Sequence, residues 1–187
     1  MISVFFCELD ERDAIRGWMN ALCKQRWQEE YEHIRFEVIS PLSIECAPEE
    51  FQRKRRMYAE AHADSSIYVL TDDDCLLGPE SPLKTMTGLM KSYSGFDMLS
   101  LMPSNANIVP WTPEGYTAFL DDNVMEHYSV GGIRFCRKGA VKYWPEQTQK
   151  GYDWDHCHAI REDGGLVGYA RKVTMNHCGE GFSTVWA

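Results

Sequence analysis

A chain of 187 residues with 44% hydrophobic and 25% charged side chains has the composition of a folded globular domain, which excludes a disordered or collagen-like chain. The net charge of −9 argues against a large surface for duplex nucleic acid, since such surfaces carry a basic surplus. No apolar run approaches the roughly 18 residues of a membrane span, and the N-terminal segment lacks the basic start of a signal peptide. We therefore expect a single compact domain, residues 1–187, in a cytoplasmic protein.

Strand and helix patterns alternate along the first half of the chain. Residues 2–7 form a short apolar run typical of a buried strand, and a helix capped by Asp10 follows it. Residues 34–39 alternate between apolar and polar side chains, which indicates a second strand. A helix is predicted over residues 49–62, and residues 67–70 form the clearest strand of the chain.

The second half continues this alternation of elements. The predicted elements are a helix that follows Pro79 and Pro82 and ends at about Tyr93, strands over 96–102, 130–136 and 166–175, and a helix over 151–163. Prolines and asparagines make residues 103–115 too irregular for a strand or helix, so this stretch is predicted to be a functional loop. The order of elements predicts an α/β fold with three α/β/α layers around a mostly parallel sheet.

Two groups of polar residues follow apolar strands in this arrangement. Asp72, Asp73 and Asp74 come directly after the strand 67–70, and His177 follows the last strand. In parallel sheets, ligands bind beyond the carboxyl ends of the strands, where both groups are expected. Adjacent carboxylates repel one another, and a divalent cation that prefers oxygen ligands removes that penalty. A solvated acidic turn is the simpler interpretation of the three aspartates.

The strand 67–70 with the aspartates that follow resembles the strand and D-x-D motif of nucleotide-sugar glycosyltransferases with the A-type fold. In that family the first aspartate faces the ribose, and the last holds a Mn²⁺ or Mg²⁺ ion on the diphosphate. The resemblance implies that Asp72 and Asp73 contact the nucleotide sugar and that Asp74 is a metal ligand.

A second motif supports the resemblance. Residues 151–164 are similar, without a gap, to the G-E-D-x-D-x-C-x-x-x-R-E-x-G helix of inverting family 2 enzymes. The carboxylate that matches Asp153 is the general base of that family, although Tyr152 replaces the usual glutamate beside it. Asp155 is the second choice for the base, and a helix cap is the structural alternative for Asp153.

Further positions match the family in part. Arg56 stands where the family has the arginine of an A-R-N motif, and His177-Cys178-Gly179 resembles an H-x-G element that supplies an imidazole ligand to the metal. Cys7 and Glu8 replace the start of the P-x-x-N motif that contacts the nucleotide, so both are candidates for nucleotide-sugar binding. The family's D-D-G-S signature is absent. Trp154 and Trp111 are candidates for a sugar or acceptor platform.

These observations predict a glycosyltransferase that uses Mn²⁺ or Mg²⁺ and moves a sugar, with inversion, from a nucleotide-sugar donor to an acceptor hydroxyl. The divalent cation would offset the charge that grows on the diphosphate as it leaves. The acceptor stays open among a glycan, a protein, a small molecule and modified nucleic acid.

Several alternatives stay open at the level of sequence. The missing motifs are compatible with a catalytically degenerate protein that binds sugar nucleotides or acts as a scaffold, and a retaining transferase on the same fold would need no base. A nucleotidyltransferase is disfavoured, because the segment after the first strand is neither glycine-rich nor basic. Seven cysteines without a C-x-x-C pair indicate reduced thiols, which leaves only a weak case for zinc at His156, Cys157, His158, His177 and Cys178.

Overall fold

The computed structural model of the chain describes residues 1–8, 14–30, 34–78, 82–104, 108, 117–140 and 152–178. Asp10, Trp111 and most of the irregular loop lie outside these ranges, and so do Gly151 and Gly179.

Four helices and eight strands are found in the described residues. The helices are α1 (Ala14–Glu30), α2 (Pro48–His62), α3 (Pro82–Ser92) and α4 (Tyr152–Glu162). The strands are β1 (Ile2–Cys7), β2 (Ile34–Ile39), β3 (Ile67–Asp72), β4 (Cys75–Leu77), β5 (Phe96–Pro103), β6 (Val124–Glu126), β7 (Arg134–Arg137) and β8 (Leu166–His177).

All eight strands belong to one sheet in the order β2-β1-β3-β7-β5-β8-β4, with β6 also pairing with β8. The pairs β1/β2, β1/β3 and β5/β8 are parallel, whereas the other pairs are antiparallel. Five strands (β1, β2, β3, β5 and β8) consequently share one direction, and the three short strands β4, β6 and β7 oppose it. The predicted α/β fold with a mostly parallel sheet is confirmed.

The packing around β1 shows why the fold has three layers. Successive side chains of a strand point to opposite faces of the sheet. Val4 and Phe6 pack into one apolar cluster with residues of α1 and α3, such as Trp27. Phe5 and Cys7 pack into a second cluster with residues of α2 and α4. A strand that is apolar on both faces needs helices on both sides, as the continuous apolar run of residues 2–7 predicts.

Two short strands lack a clear sequence signal, and one predicted strand begins later than expected. β4 and β6 contain three residues each and form by pairing with β8. β7 begins at Arg134 rather than at Val130, and backbone groups of Val130, Gly131 and Gly132 bond to side chains. Ser100 donates its hydroxyl to the carbonyl oxygen of Gly131 at 2.6 Å, and Gly132 has a φ of +73° that favours glycine.

The register brings several candidate residues to one edge of the sheet. Cys7 is paired with Asp72 across the parallel strands β1 and β3. β7 runs against β3 and begins with Arg134 opposite Leu70, two residues before Asp72. β4 returns directly after the aspartates and sets Cys75 opposite His177 on β8. The sheet therefore gathers residues that are far apart in sequence.

The substitution Gly168→Ala tests how tightly β6 packs on β8. A Cβ at this position would collide with the backbone oxygen of Met125 and lie 2.7 Å from the Phe96 ring, so Gly168→Ala forces the strands apart. We expect a loss of about 1–3 kcal/mol in the free energy of unfolding, measured by urea denaturation. Gly88 in α3 has nothing within 4 Å of an added Cβ, so Gly88→Ala is the control and should stabilise by about 1 kcal/mol. Equal midpoints for the two variants would contradict this packing.

Candidate active site

Asp74 and His177 come together at the end of the sheet. The carboxylate Oδ1 of Asp74 lies 3.7 Å from Nε2 of His177, and both side chains are largely buried. The backbone fixes this pair, because the amide of Cys178 donates to the carbonyl oxygen of Asp74 at 2.8 Å. The separation is close to the distance of about 3–4 Å between two ligands of one small divalent ion.

Cys75 completes a group of three potential ligands with Asp74 and His177, whose ligand atoms all lie within 4.8 Å of one another. Burial raises the pKa of the Cys75 thiol well above its usual range, and the nearby Asp72 and Asp74 carboxylates act in the same direction. The thiol is therefore protonated and donates to Oδ1 of Asp74 at 3.5 Å. The Asp74 carboxylate and the His177 imidazole remain as donors, a set that suits Mn²⁺ better than a thiolate-rich set would.

Two buried arginines join Asp72 to Asp153. Arg55 on α2 donates to Oδ1 of Asp72 at 2.5 Å and to Oδ1 of Asp153 at 3.4 Å. Arg134 on β7 donates to the same two oxygens, with 3.0 Å to Asp72 and a short contact to Asp153. The side chains of Arg55 and Arg134 are only 4% and 1% exposed. We call these four residues the arginine–aspartate ring.

The ring balances its own charge, with two guanidinium groups opposite two carboxylates. Burial alone would raise the pKa of Asp72, but Arg134 and Arg55 outweigh burial and hold it below its usual value. Burial likewise opposes the charge of Arg134, yet Asp153 and Asp72 raise its pKa well above the usual range. The second oxygen of Asp72 accepts a hydrogen bond from the Gly132 amide at 3.2 Å, which fixes the carboxylate.

The other residues predicted to bind the nucleotide sugar include Cys7 and Glu8 at the end of β1 and Asp73 after β3. Cys7 is fully buried, and burial raises its pKa to about 11 although Arg55 acts in the opposite direction. Glu8 follows β1 and forms an ion pair with Lys24 at 2.8 Å. Asp73 is buried, unlike the partly exposed Asp72 and Asp74. Glu8 is therefore the acidic residue that the structure describes at the end of β1.

Arg56 does not reach the ring. Its side chain is buried, and its Nε lies 4.0 Å from Glu60, one helical turn further along α2. Arg55 is the arginine of α2 that contacts Asp72. The spacing of Phe51, Arg55 and Ala59, all buried, could have indicated this, since residues four apart share one face of a helix.

Arg134 was missed by sequence reasoning. It lies between Ile133 and Phe135, two residues with fully buried side chains. A charged residue inside such an apolar run indicates a buried ion pair, because a buried charge needs a partner. The sequence does not show which carboxylates supply that partner.

A pocket opens beside Asp153. Its wall contains Asp153 of α4 and Tyr169 of β8. The segment between β6 and β7 adds His127, Tyr128, Ser129 and Gly131 to the wall. Trp154, a predicted platform residue, packs against Tyr128 with ring centroids 4.6 Å apart. Both contacts of Asp153 with the arginines go to Oδ1, whereas Oδ2 lies against Gly131, 2.9 Å from where a Cβ would be.

The residues considered for a zinc site differ in their burial and in their partners. His156 and Cys157 are buried in α4, and His158 is exposed and lies 3.3 Å from Glu162. None of these three residues belongs to the group of potential ligands around His177 in the described part of the chain. Burial, with Arg56 and then Arg134 nearby, lowers the pKa of His156 well below its usual value, so this imidazole is neutral.

Comparison with known proteins identifies the fold. No protein-family model matches the sequence, and no curated protein matches it. Among solved structures, S. aureus TarS residues 1–349 has 16% identity and a TM-score of 0.56, covering 94% of this chain and 59% of TarS 1–349. GalNAc-T7 with UDP, GalNAc and Mn²⁺ has 9% identity and a TM-score of 0.59, covering 95% and 44%. UDP-glucose pyrophosphorylase complexed with UDP-glucose has 11% identity and a TM-score of 0.53, covering 95% and 94%.

The chain has the A-type fold of nucleotide-sugar glycosyltransferases, as the D-x-D resemblance implied. It spans about three-fifths of the TarS chain that it matches. The likeness to the pyrophosphorylase shows that the same fold also occurs in a protein that is not a glycosyltransferase. The fold alone therefore does not assign the reaction. In the described residues no helix is long and apolar enough to cross a membrane.

Arg134→Met tests the arginine–aspartate ring. The variant leaves two carboxylates with one guanidinium, and a buried charge without compensation is costly. We expect a loss of about 3 kcal/mol in the free energy of unfolding, measured by denaturant titration. Arg35→Met is the matched control, because Arg35 also contacts two carboxylates but is 40% exposed, and it should cost about 1 kcal/mol or less. Similar losses in the two variants would mean that the ring contributes no special stability.

Proposed function

We propose that the protein is a glycosyltransferase that moves a sugar from a nucleotide-sugar donor to an acceptor hydroxyl, with a divalent metal ion and with inversion. One observation carries the proposal: Asp74 and His177 form a close pair at the end of the sheet where the arginine–aspartate ring holds Asp72 and Asp153. The TarS structure with UDP-GlcNAc supports it by sharing the fold.

Asp74 and His177 would hold Mn²⁺ or Mg²⁺, and their carboxylate and imidazole donors fit such an ion. When bound, the ion would supply positive charge to the oxygens of the departing diphosphate. Asp72, two residues before Asp74, would accept hydrogen bonds from the donor's ribose. Its carboxylate is held by Arg55, Arg134 and the Gly132 amide, so the donor meets a group that is already oriented.

Asp153 would act as the general base through Oδ2. The acceptor hydroxyl gives its proton to this oxygen while its own oxygen forms a bond to the anomeric carbon of the donor. The bond from the anomeric carbon to the diphosphate breaks, and the nucleoside diphosphate leaves with the electron pair. Attack from the side opposite the leaving group inverts the anomeric centre. Arg55 and Arg134 hold Oδ1 and so fix the direction of Oδ2.

A sugar-nucleotide-binding protein without transfer activity is the second candidate. It is favoured by the two arginines at Asp153, because an ion-paired carboxylate is committed to a structural contact. Such a protein would bind the donor but release no nucleoside diphosphate. Measurement of both binding and turnover therefore separates the two candidates.

Metal-dependent donor binding tests Asp74 and His177. We expect Mn²⁺ to increase the affinity for a UDP-sugar, measured by titration calorimetry over a panel of sugar nucleotides. Asp74→Ala and His177→Ala should each remove most of this increase, since each takes away one of two protein ligands. The control is Asp64→Ala, which removes an exposed carboxylate paired with Arg35. An unchanged manganese effect in both ligand variants would refute the metal site.

Turnover tests the role of Asp153. We expect Asp153→Asn to bind the donor with manganese but to transfer the sugar about a hundredfold or more slowly, because general-base catalysis contributes about that much. The comparison variant is Asp155→Asn, which changes the other aspartate of α4, a buried one. If Asp155→Asn abolishes transfer and Asp153→Asn does not, the base is assigned to the wrong aspartate.

A further inference from the structure

We infer that the pocket beside Asp153 binds a neutral sugar ring, so that the acceptor is a carbohydrate. This inference rests on the proposed function and names the acceptor class that the proposed function leaves open. It is carried by the side chains of the pocket wall, which combine aromatic faces with uncharged hydrogen-bonding groups.

The aromatic part of the pocket is built from rings that contact one another. Tyr128 contacts two other rings, with centroid distances of 4.4 Å to His127 and 4.6 Å to Trp154. Tyr169 meets the ring of His127 at 5.5 Å from the side. The C–H faces of a pyranose ring are apolar and pack on flat aromatic surfaces, while its hydroxyl groups need polar partners around the edge. Tyr128 supplies such a surface in a fixed orientation.

His127 supplies an uncharged hydrogen-bond acceptor. Its Nδ1 lies 2.5 Å from the carbonyl oxygen of Ser129, so Nδ1 carries the proton and donates it there. Nε2 then keeps a lone pair that can accept a hydrogen bond from a sugar hydroxyl. Burial lowers the pKa of His127, and Arg161 acts in the same direction, whereas the hydrogen bond to Ser129 opposes them. The imidazole is accordingly neutral.

Tyr169 adds an uncharged hydroxyl group beside Gly131. Burial raises the pKa of Tyr169 well above its usual range, although a hydrogen bond from the Gly131 backbone acts in the opposite direction. Its hydroxyl is therefore protonated in the same wall of the pocket that holds Oδ2 of Asp153.

The charge of the pocket excludes a cationic ligand. Aromatic rings next to a carboxylate would ordinarily suit an ammonium group. Here Asp153 is paired with Arg55 and Arg134 in the arginine–aspartate ring, so the wall formed by the described residues has no surplus negative charge to attract a cation. A neutral, polyhydroxylated ligand matches the aromatic face, the imidazole acceptor and the tyrosine hydroxyl together.

The position of the pocket assigns it to the acceptor rather than to the donor sugar. The pocket contains Asp153 and none of the residues assigned to the diphosphate or the metal ion. Because Oδ2 of Asp153 is the proposed base, a sugar ring in this pocket would present a hydroxyl to the atom that takes its proton.

Binding of simple glycosides tests the inference without the donor. Saturation-transfer NMR on the full chain, with no nucleotide or metal, should detect a methyl glycoside of glucose, galactose or N-acetylglucosamine. Tyr128→Ala should weaken the best of these about tenfold by removing the stacking surface. His127→Phe, which keeps a ring but removes the acceptor nitrogen, should weaken it as well. Tyr58→Ala is the matched control, because Tyr58 also stacks on a histidine, His62, but lies outside the pocket.

The outcomes distinguish failure of the inference from failure of the proposed function. Glycoside binding that Tyr128→Ala and His127→Phe reduce supports the inference, and Asp74→Ala should leave that binding in place. Binding of choline or adenosine in preference to every methyl glycoside would overturn the inference, as would glycoside binding that is equal in all variants. Absence of sugar-nucleotide binding with Mn²⁺ refutes the proposed function by a separate measurement. If Tyr128→Ala does not fold, glycoside binding by His127→Phe decides whether the pocket holds a sugar.

Discussion

The arginine–aspartate ring is the interaction on which the candidate site depends. Arg55 comes from a helix on one face of the sheet, Arg134 from an antiparallel strand, and each contacts Asp72 and Asp153. The Asp72 carboxylate and both guanidinium groups are largely removed from water and require compensation, which they and the more exposed Asp153 provide for one another. The ring therefore fixes the end of β3 relative to the start of α4, and with them the groups assigned to the donor and to the acceptor.

Much of the arrangement was predictable because it follows from periodicity and from strand ends. The apolar run at residues 2–7 and the strand before the aspartates predicted a sheet with helices on both faces, which the packing of Val4 and Phe5 on opposite sides confirms. Residues that follow strands of one direction lie along the same edge of the sheet. For this reason Asp74 and His177 could be placed together from the sequence, although more than a hundred residues separate them.

The partners of these residues were not predictable, since they depend on tertiary contacts. A helix can turn either of two adjacent arginines toward the sheet, and the packing of α2 selects Arg55. The three-residue strand β4 forms only because β8 is there to pair with it, and that pairing sets Cys75 opposite His177. The pocket wall from His127 to Gly131 has no regular pattern, so neither its stacked rings nor its closeness to Asp153 can be inferred from sequence.

The most direct test of the central claim is the location of a metal ion in crystals grown with UDP and Mn²⁺. Anomalous diffraction from manganese reports the position of the ion without reference to activity. We expect one peak in bonding contact with both the Asp74 carboxylate and Nε2 of His177, next to the diphosphate. UDP bound with the manganese peak elsewhere, or with no peak between these two side chains, would contradict it.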